Sequence, residues 1–280
     1  MMMTTNQIHI NFRRIREISA KAVRRTAIFM GLGINAANDP DFKQYELAKI
    51  TGMQFVLPNT DEEILANFKK EFGVWIVACG LRELIETFSV FLDEVNMACL
   101  LIGVSCKQIS EKESEACNKK FHRDGLRDKF ISLQDHFGIR SIQRDSLISI
   151  NQARNCLTHR RGIVGVKDCD DGEKELVVRW MGVDIYIETP TGEILLWQPF
   201  PVEEVSLPEG GDVKLKFPER IKIFPLHTRI TFSPRELQEI CISILGTTDQ
   251  IIKSAENYAK ENGVIPIIPD DPALTKDEEP

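Results

Sequence analysis

The stretch "SINQARNCLTHRRG", residues 149–162, gathers an arginine, an asparagine and a histidine ahead of a glycine. Four residues separate Arg154 from His159, and Asn155 precedes His159 by four positions. On a helix that relation puts Asn155 and His159 on one face, and Asn151 extends the polar column. Arg154 lies about 140° round the barrel from His159, although its long side chain still sweeps toward the helix end. Imidazole is the side chain that moves protons near neutral pH, and guanidinium is a permanent planar cation suited to anionic oxygens. The set therefore fits proton transfer beside a stabilised negative charge. The plainer alternative is that His159 only caps its helix, where the C-terminal partial charge favours imidazolium and Arg160 and Arg161 oppose it.

A second pair, Arg220 and His227, has six intervening residues. It lies in "RIKIFPLH", a strand-like run interrupted by Pro225, and is expected to be structural.

The elements that must position the first set are mainly helical. "TDEEIL" supplies Thr60 as N-cap and Glu63 as its capping-box partner. Beyond it Arg82, Glu86, Ser89, Asp93 and Asn96 recur at helical spacing as one thin polar stripe, the mark of a helix in the middle of a bundle. "LRDKFISLQDHFG" reads as a short helix ending near Gly138. "RDSLISINQARNCLTHRRG" reads as another, with Gly162 as its left-handed stop. The pattern then changes to "KELVVRW", "VDIYIET", "EILLW", "VKLKF" and "RIKIF", five short runs between turn clusters that predict a small antiparallel sheet of hairpins. Helix returns at "TFSPRELQEI", with Ser233 as N-cap, Pro234 at the first position and Glu236 at the third, loosening around Gly246 and Thr247. The expected fold is mainly α, a helical bundle over 1–162 with a β-rich insertion at 163–232. A closing helix at 233–263 and a mobile acidic tail at 264–280 complete it.

Composition narrows the classes. A 280-residue chain with 42% hydrophobic and 28% charged residues has material for a full core and reads as an ordinary globular protein. A net charge of −7 argues against indiscriminate nucleic-acid binding by the whole surface. The basic run "RRIREISAKAVRR" reads first as a solvated helix face, with phosphates or an acidic partner as alternatives. Seven cysteines without a CxxC pair fit buried thiols in a reducing compartment, so a cytoplasmic location is expected. Charges interrupt the longest apolar stretch, residues 74–106, so no bilayer span is expected.

Two other motifs weaken on inspection. "GLGINA" matches a dinucleotide fingerprint in letters only, because Pro40 follows where the phosphate-binding helix should run; a helix-terminating turn is expected. "KDCDDGE" lacks the spacing of a calcium loop and reads as a solvated turn. No cluster of Asp, Glu, His or Cys with metal-ligand spacing accompanies Arg154 and His159, so neither a metal nor another cofactor is expected.

"INQARNCLTHRRGIV" resembles the signature of HEPN-domain ribonucleases, R-x(4–6)-H with a polar residue, often Asn, after the arginine. The resemblance covers some fifteen residues. It implies a helical bundle that dimerises so that two motif copies share a cleft. It also implies metal-independent RNA cleavage, as a toxin or antiviral effector under an antitoxin or regulatory partner. The family's catalytic roles fall on Arg154, Asn155 and His159. Some members carry a tyrosine two residues after the histidine; here Arg161 stands there, so phosphate contact falls to Arg160 and Arg161 or the site is weakened. A catalytically silent HEPN-type interaction protein is the alternative reading.

Overall fold

A computed structural model of the protein describes residues 10–42, 61–169, 174–189, 192–195 and 212–264. It contains α1 (Phe12–Asn38), α2 (Glu62–Ser105), α3 (Glu111–Phe121), α4 (Leu126–Phe137), α5 (Arg144–Arg160) and α6 (Pro234–Glu261). The strands are β1 (Glu175–Met181), β2 (Asp184–Thr189), β3 (Gly192–Leu195), β4 (Asp212–Lys216) and β5 (Glu219–Pro225). The fold is mainly helical with small antiparallel sheets, and its two compact units do not follow chain order.

The first unit takes α1 through Val23, residues 84–144 and the chain from Ile244. Phe88, Phe91 and Leu92 of α2 and Phe130 and Leu133 of α4 are buried together, with the Phe88 ring 5.4 Å from Phe91 and 6.1 Å from Phe130. The polar stripe of α2 has partners inside this core. Lys129, 2% exposed, donates to Ser89 Oγ at 2.7 Å and to Asp93 Oδ1 at 2.6 Å, and Asn96 bonds Asn118 at 3.2 Å. A buried ammonium persists only when paired in this way. α4 stops at Gly138, left-handed at φ 69, as its glycine predicts.

α6 runs unbroken through Gly246 and Thr247, contrary to the expected loosening. Thr247 and Thr248 are buried, and the Thr248 hydroxyl bonds both the Ile244 carbonyl at 2.9 Å and the Ser19 hydroxyl at 2.8 Å. Packing thus holds a segment that propensity alone would fray.

α2 contains a window of mean hydropathy 1.5 that is long and apolar enough to cross a membrane by composition, and 56% of that window is buried. A bundle's central helix passes the same test.

The second unit comprises residues 24–83 and 145–243. The "GLGINA" glycines do not end a helix; both lie inside α1, and for Gly33 a tertiary reason is visible. A Cβ on Gly33 would stand 2.6 Å from Ile76 Cδ1, and one on Gly80 would stand 2.3 Å from the Met30 sulfur. Gly33 and Gly80 let α1 and α2 approach closely, whereas nothing lies within 4 Å of a Cβ on Gly31. Thr60 falls outside the described residues; at the start of α2 it is Asp61 Oδ1 that accepts the Glu63 N–H at 3.2 Å.

The strands form two sheets rather than one set of hairpins. β1 pairs antiparallel with β5, and β2 lies between β3 and β4. β1 alternates in burial: Leu176, Val178 and Trp180 are buried. Its free edge is engaged by helices, with the Arg179 N–H donating to Ser149 Oγ at 2.8 Å and the Met181 N–H to Ser243 Oγ at 3.2 Å. The Trp180 indole donates to the buried Glu239 at 2.9 Å. α6 opens with the predicted capping box: the Ser233 N–H donates to Glu236 Oε2 at 2.7 Å, and the Glu236 N–H to Ser233 Oγ at 3.3 Å. The expected acidic tail lies outside the described residues beyond Val264.

Candidate functional site

α5 is held by one apolar stripe. Leu147, Ile150, Ala153, Cys156 and Leu157 are buried at spacings of three and four, which leaves Gln152, Asn155 and His159 on another face. These three line a pocket of about 280 Å³ with Arg160, Lys167 and Asp168. His159 is exposed and Asn155 half-buried, so the imidazole is open to solvent while the amide is fixed.

Arg154 starts on a different side of the helix, as the arithmetic predicts. Its Nη1 donates to Asn155 Oδ1 at 2.8 Å. The asparagine therefore links the guanidinium on one side to the pocket containing His159 on the other.

Arg160 and Arg161 part company. The Arg160 guanidinium forks onto Asp168, with Nε donating to Oδ2 at 2.6 Å and Nη2 to Oδ1. This bond holds the Arg160 pKa above its ordinary value against the opposing effect of burial. Asp168 is 2% exposed and also accepts the Gly165 N–H at 2.9 Å, so it is not the solvated turn acid expected of "KDCDDGE". Residues 170–173 of that motif lie outside the described residues. Burial, reinforced by the Asp168 charge, pushes the nearby Cys156 thiol up to about 12. Among the described residues Lys167 makes no ion pair, whereas Arg160 and Asp168 cancel in the same wall.

Arg161 takes a left-handed conformation, φ 54, and Gly162 follows at φ 74. Left-handed backbone costs a non-glycine residue about 1–2 kcal/mol, so the turn is held from outside itself. The Gly162 N–H reaches back to the Cys156 carbonyl at 3.1 Å, and the Ile230 N–H donates to the Gly162 carbonyl at 2.8 Å. Arg161 consequently lines a separate pocket, with Arg82 and Arg229.

The second Arg–His pair is differently placed. Arg220 is bonded to Asp184 at 2.6 Å and Glu239 at 3.4 Å, and His227 sits exposed in a turn at φ 66.

The residues that sequence reasoning missed are Gln152, Lys167 and Asp168. Gln152 was legible as the i−3 neighbour of Asn155. Lys167 and Asp168 were not, because they reach the pocket only through the turn after Gly162. The groups lining the pocket can exchange a proton through His159 and meet an anion with Asn155 and Lys167; Arg154 does not line it and is joined to it only through Asn155. Comparison with family profiles, curated proteins and solved structures finds no match to this chain.

Proposed function

We propose that the chain is a metal-independent endoribonuclease of HEPN type, built on a HEPN-like helical bundle and active as a homodimer. The observation that carries this reading is the coupling of Arg154 to Asn155 beside a pocket into which Asn155 and His159 both project. RNA supplies its own nucleophile, the 2′-OH next to the cleaved bond. Attack on phosphorus with departure of the 5′ oxygen leaves a 2′,3′-cyclic phosphate and a 5′-OH. The step needs a base for the 2′ proton, an acid for the leaving oxygen and positive charge on the phosphorane. His159 supplies one proton-transfer group and Arg154 the charge, with Asn155 orienting the guanidinium. A second copy supplies the other histidine, which makes two-fold assembly part of the chemistry. Ile28, Leu32, Ile64 and Phe68 are exposed on the second unit and offer apolar surface to such a copy. A toxin or defence effector, restrained by an antitoxin or regulatory protein, is the biological class that fits an unaided RNA-cutting activity.

The alternative is a catalytically silent, dimerising interaction protein of the same type. What favours it is the neutralisation of Arg160 by Asp168 and the placement of Arg161 in another pocket, which thin the phosphate contacts near His159.

The deciding experiment incubates purified chain with labelled RNA in excess EDTA and analyses the product ends. Cyclic phosphate and 5′-OH ends are expected, with a loss of at least about a hundredfold in His159→Ala and a similar loss in Arg154→Ala. His227→Gln should leave cleavage intact. A folded, dimeric wild-type chain that cuts no RNA selects the silent reading.

A further inference from the structure

Trp75 is 59% exposed, and its ring stacks on Phe72 with centroids 6.1 Å apart and planes 20° from parallel. It lines two neighbouring pockets of the second unit. One, about 480 Å³, includes Phe29 and Met30 of α1; the other, about 560 Å³, includes Leu157 and Arg161 from the end of α5. Cys79 and Arg82 line both as well, so residues 75, 79 and 82 form a stripe along α2 shared by the two hollows.

The larger pocket concentrates charge. Arg82 from α2, Arg161 and Arg229 meet there, against the single carboxylate of Glu71. Arg161 and Arg229 are exposed, and among the described residues neither side chain makes a hydrogen bond or ion pair. Val74, Ala78 and Leu157 supply an apolar floor beside the indole. Converging cations with an aromatic plate and a greasy floor match a polyanion that carries flat rings. Such sites hold single-stranded nucleic acid by stacking its bases and neutralising its backbone, with little regard to sequence. An acidic peptide would use the arginines but not the stacked plate. A free nucleotide would use one hollow and leave the second empty. The chain's net negative charge is no obstacle, because the cations are local.

We propose that this pocket is a subsite for single-stranded RNA, with a base stacked on Trp75 and adjoining phosphates on Arg161 and Arg229. The proposal rests on the ribonuclease reading and assigns the part of the substrate held beside the cleaved bond. Arg161 is two residues from His159 in the chain, so a strand bound here is delivered to the end of α5. It also gives Arg161 a role without requiring it to face His159.

The test uses the full chain with His159→Ala, titrated into a short fluorescein-labelled single-stranded RNA and read by anisotropy. Adding Trp75→Leu should weaken binding by about five- to a hundredfold, and Trp75→Phe should restore most of it. Arg229→Gln should flatten the dependence of log affinity on log salt by about 0.7. Both side chains are exposed, and circular dichroism verifies that the variants keep their helices. Unchanged affinity and salt slope overturn the subsite. Complete displacement of the RNA by AMP at equal concentration also overturns it, in favour of a mononucleotide pocket. Cleavage by the chain with His159 intact is scored separately. Affinity lost in the variants while the wild type cuts nothing upholds the subsite and sinks the ribonuclease reading; cleavage with unaltered variant affinity does the reverse.

Discussion

Replacing Asp168 by asparagine tests the physical account of the pocket wall. The carboxylate accepts both Arg160 contacts and the Gly165 N–H, and its side chain is 1% exposed while that of Arg160 is 30% exposed. Removing one partner of a fully buried pair costs about 3–5 kcal/mol. Two features reduce that figure here. Asparagine keeps one carbonyl oxygen for Arg160 or Gly165, and the partly exposed guanidinium can recover hydration. A loss of about 2 kcal/mol is therefore expected, a substantial part of a typical 5–15 kcal/mol of folding stability. In urea this corresponds to a fall of the midpoint by roughly 0.7–1 M for a slope of 2–3 kcal/mol/M. The double variant Arg160→Gln/Asp168→Asn removes the stranded charge and should recover part of the loss. A single-variant loss under about 0.5 kcal/mol, or a double variant as unstable as the sum of the singles, would refute the reasoning.

Three further outcomes follow from the geometry. Burial pushes Cys99, Cys156 and Cys241 to about 12, whereas Cys117 is exposed, so a thiol reagent at pH 8 should label Cys117 first and those three only after unfolding. Rapid labelling of Cys156 in native protein, read by peptide mass, would contradict the packing of α5. Burial alone would raise the Glu236 pKa, but Lys222 and the Ser233 cap outweigh it and hold it below 4.5. Its stabilising contribution is present above the unfolded value and lost as pH falls through the folded one. The melting-temperature gap between wild type and Glu236→Gln should thus be largest near neutrality and close below pH 4.5. Finally, Gly31→Ala should stabilise the protein by up to about 1 kcal/mol through helix propensity, since nothing lies within 4 Å of the added methyl. Gly33→Ala meets Ile76 and should lose that gain or more; equal urea midpoints for the two would count against the close approach of α1 and α2.

The helices whose signals are local were readable in advance. α4 ends at Gly138, α5 leads into Gly162, and α6 begins with Ser233, Pro234 and Glu236, because caps and stops act on backbone groups within one turn. The shared face of Asn155 and His159 was readable for the same reason: 3.6 residues per turn is a property of the chain itself. The strand character of "KELVVRW" was likewise readable, and β1 forms over Glu175–Met181.

What only the tertiary structure decided concerns partners distant in sequence. Nothing near Gly33 says that Ile76 will press against it, so the glycine looked like a stop. Asp168 looked solvated until the chain after Gly162 folded back and set it against Arg160. β1 pairs with β5 rather than with its neighbour, since antiparallel pairing requires only matching edges and not adjacency in the chain. The same holds for the cations: Arg161 follows His159 by two residues in sequence yet lies with Arg82 and Arg229, because a left-handed residue redirects the backbone. Periodicity decides which face a residue occupies. Which residue stands opposite is settled by long-range packing, where the energy of burial and pairing outweighs local preference.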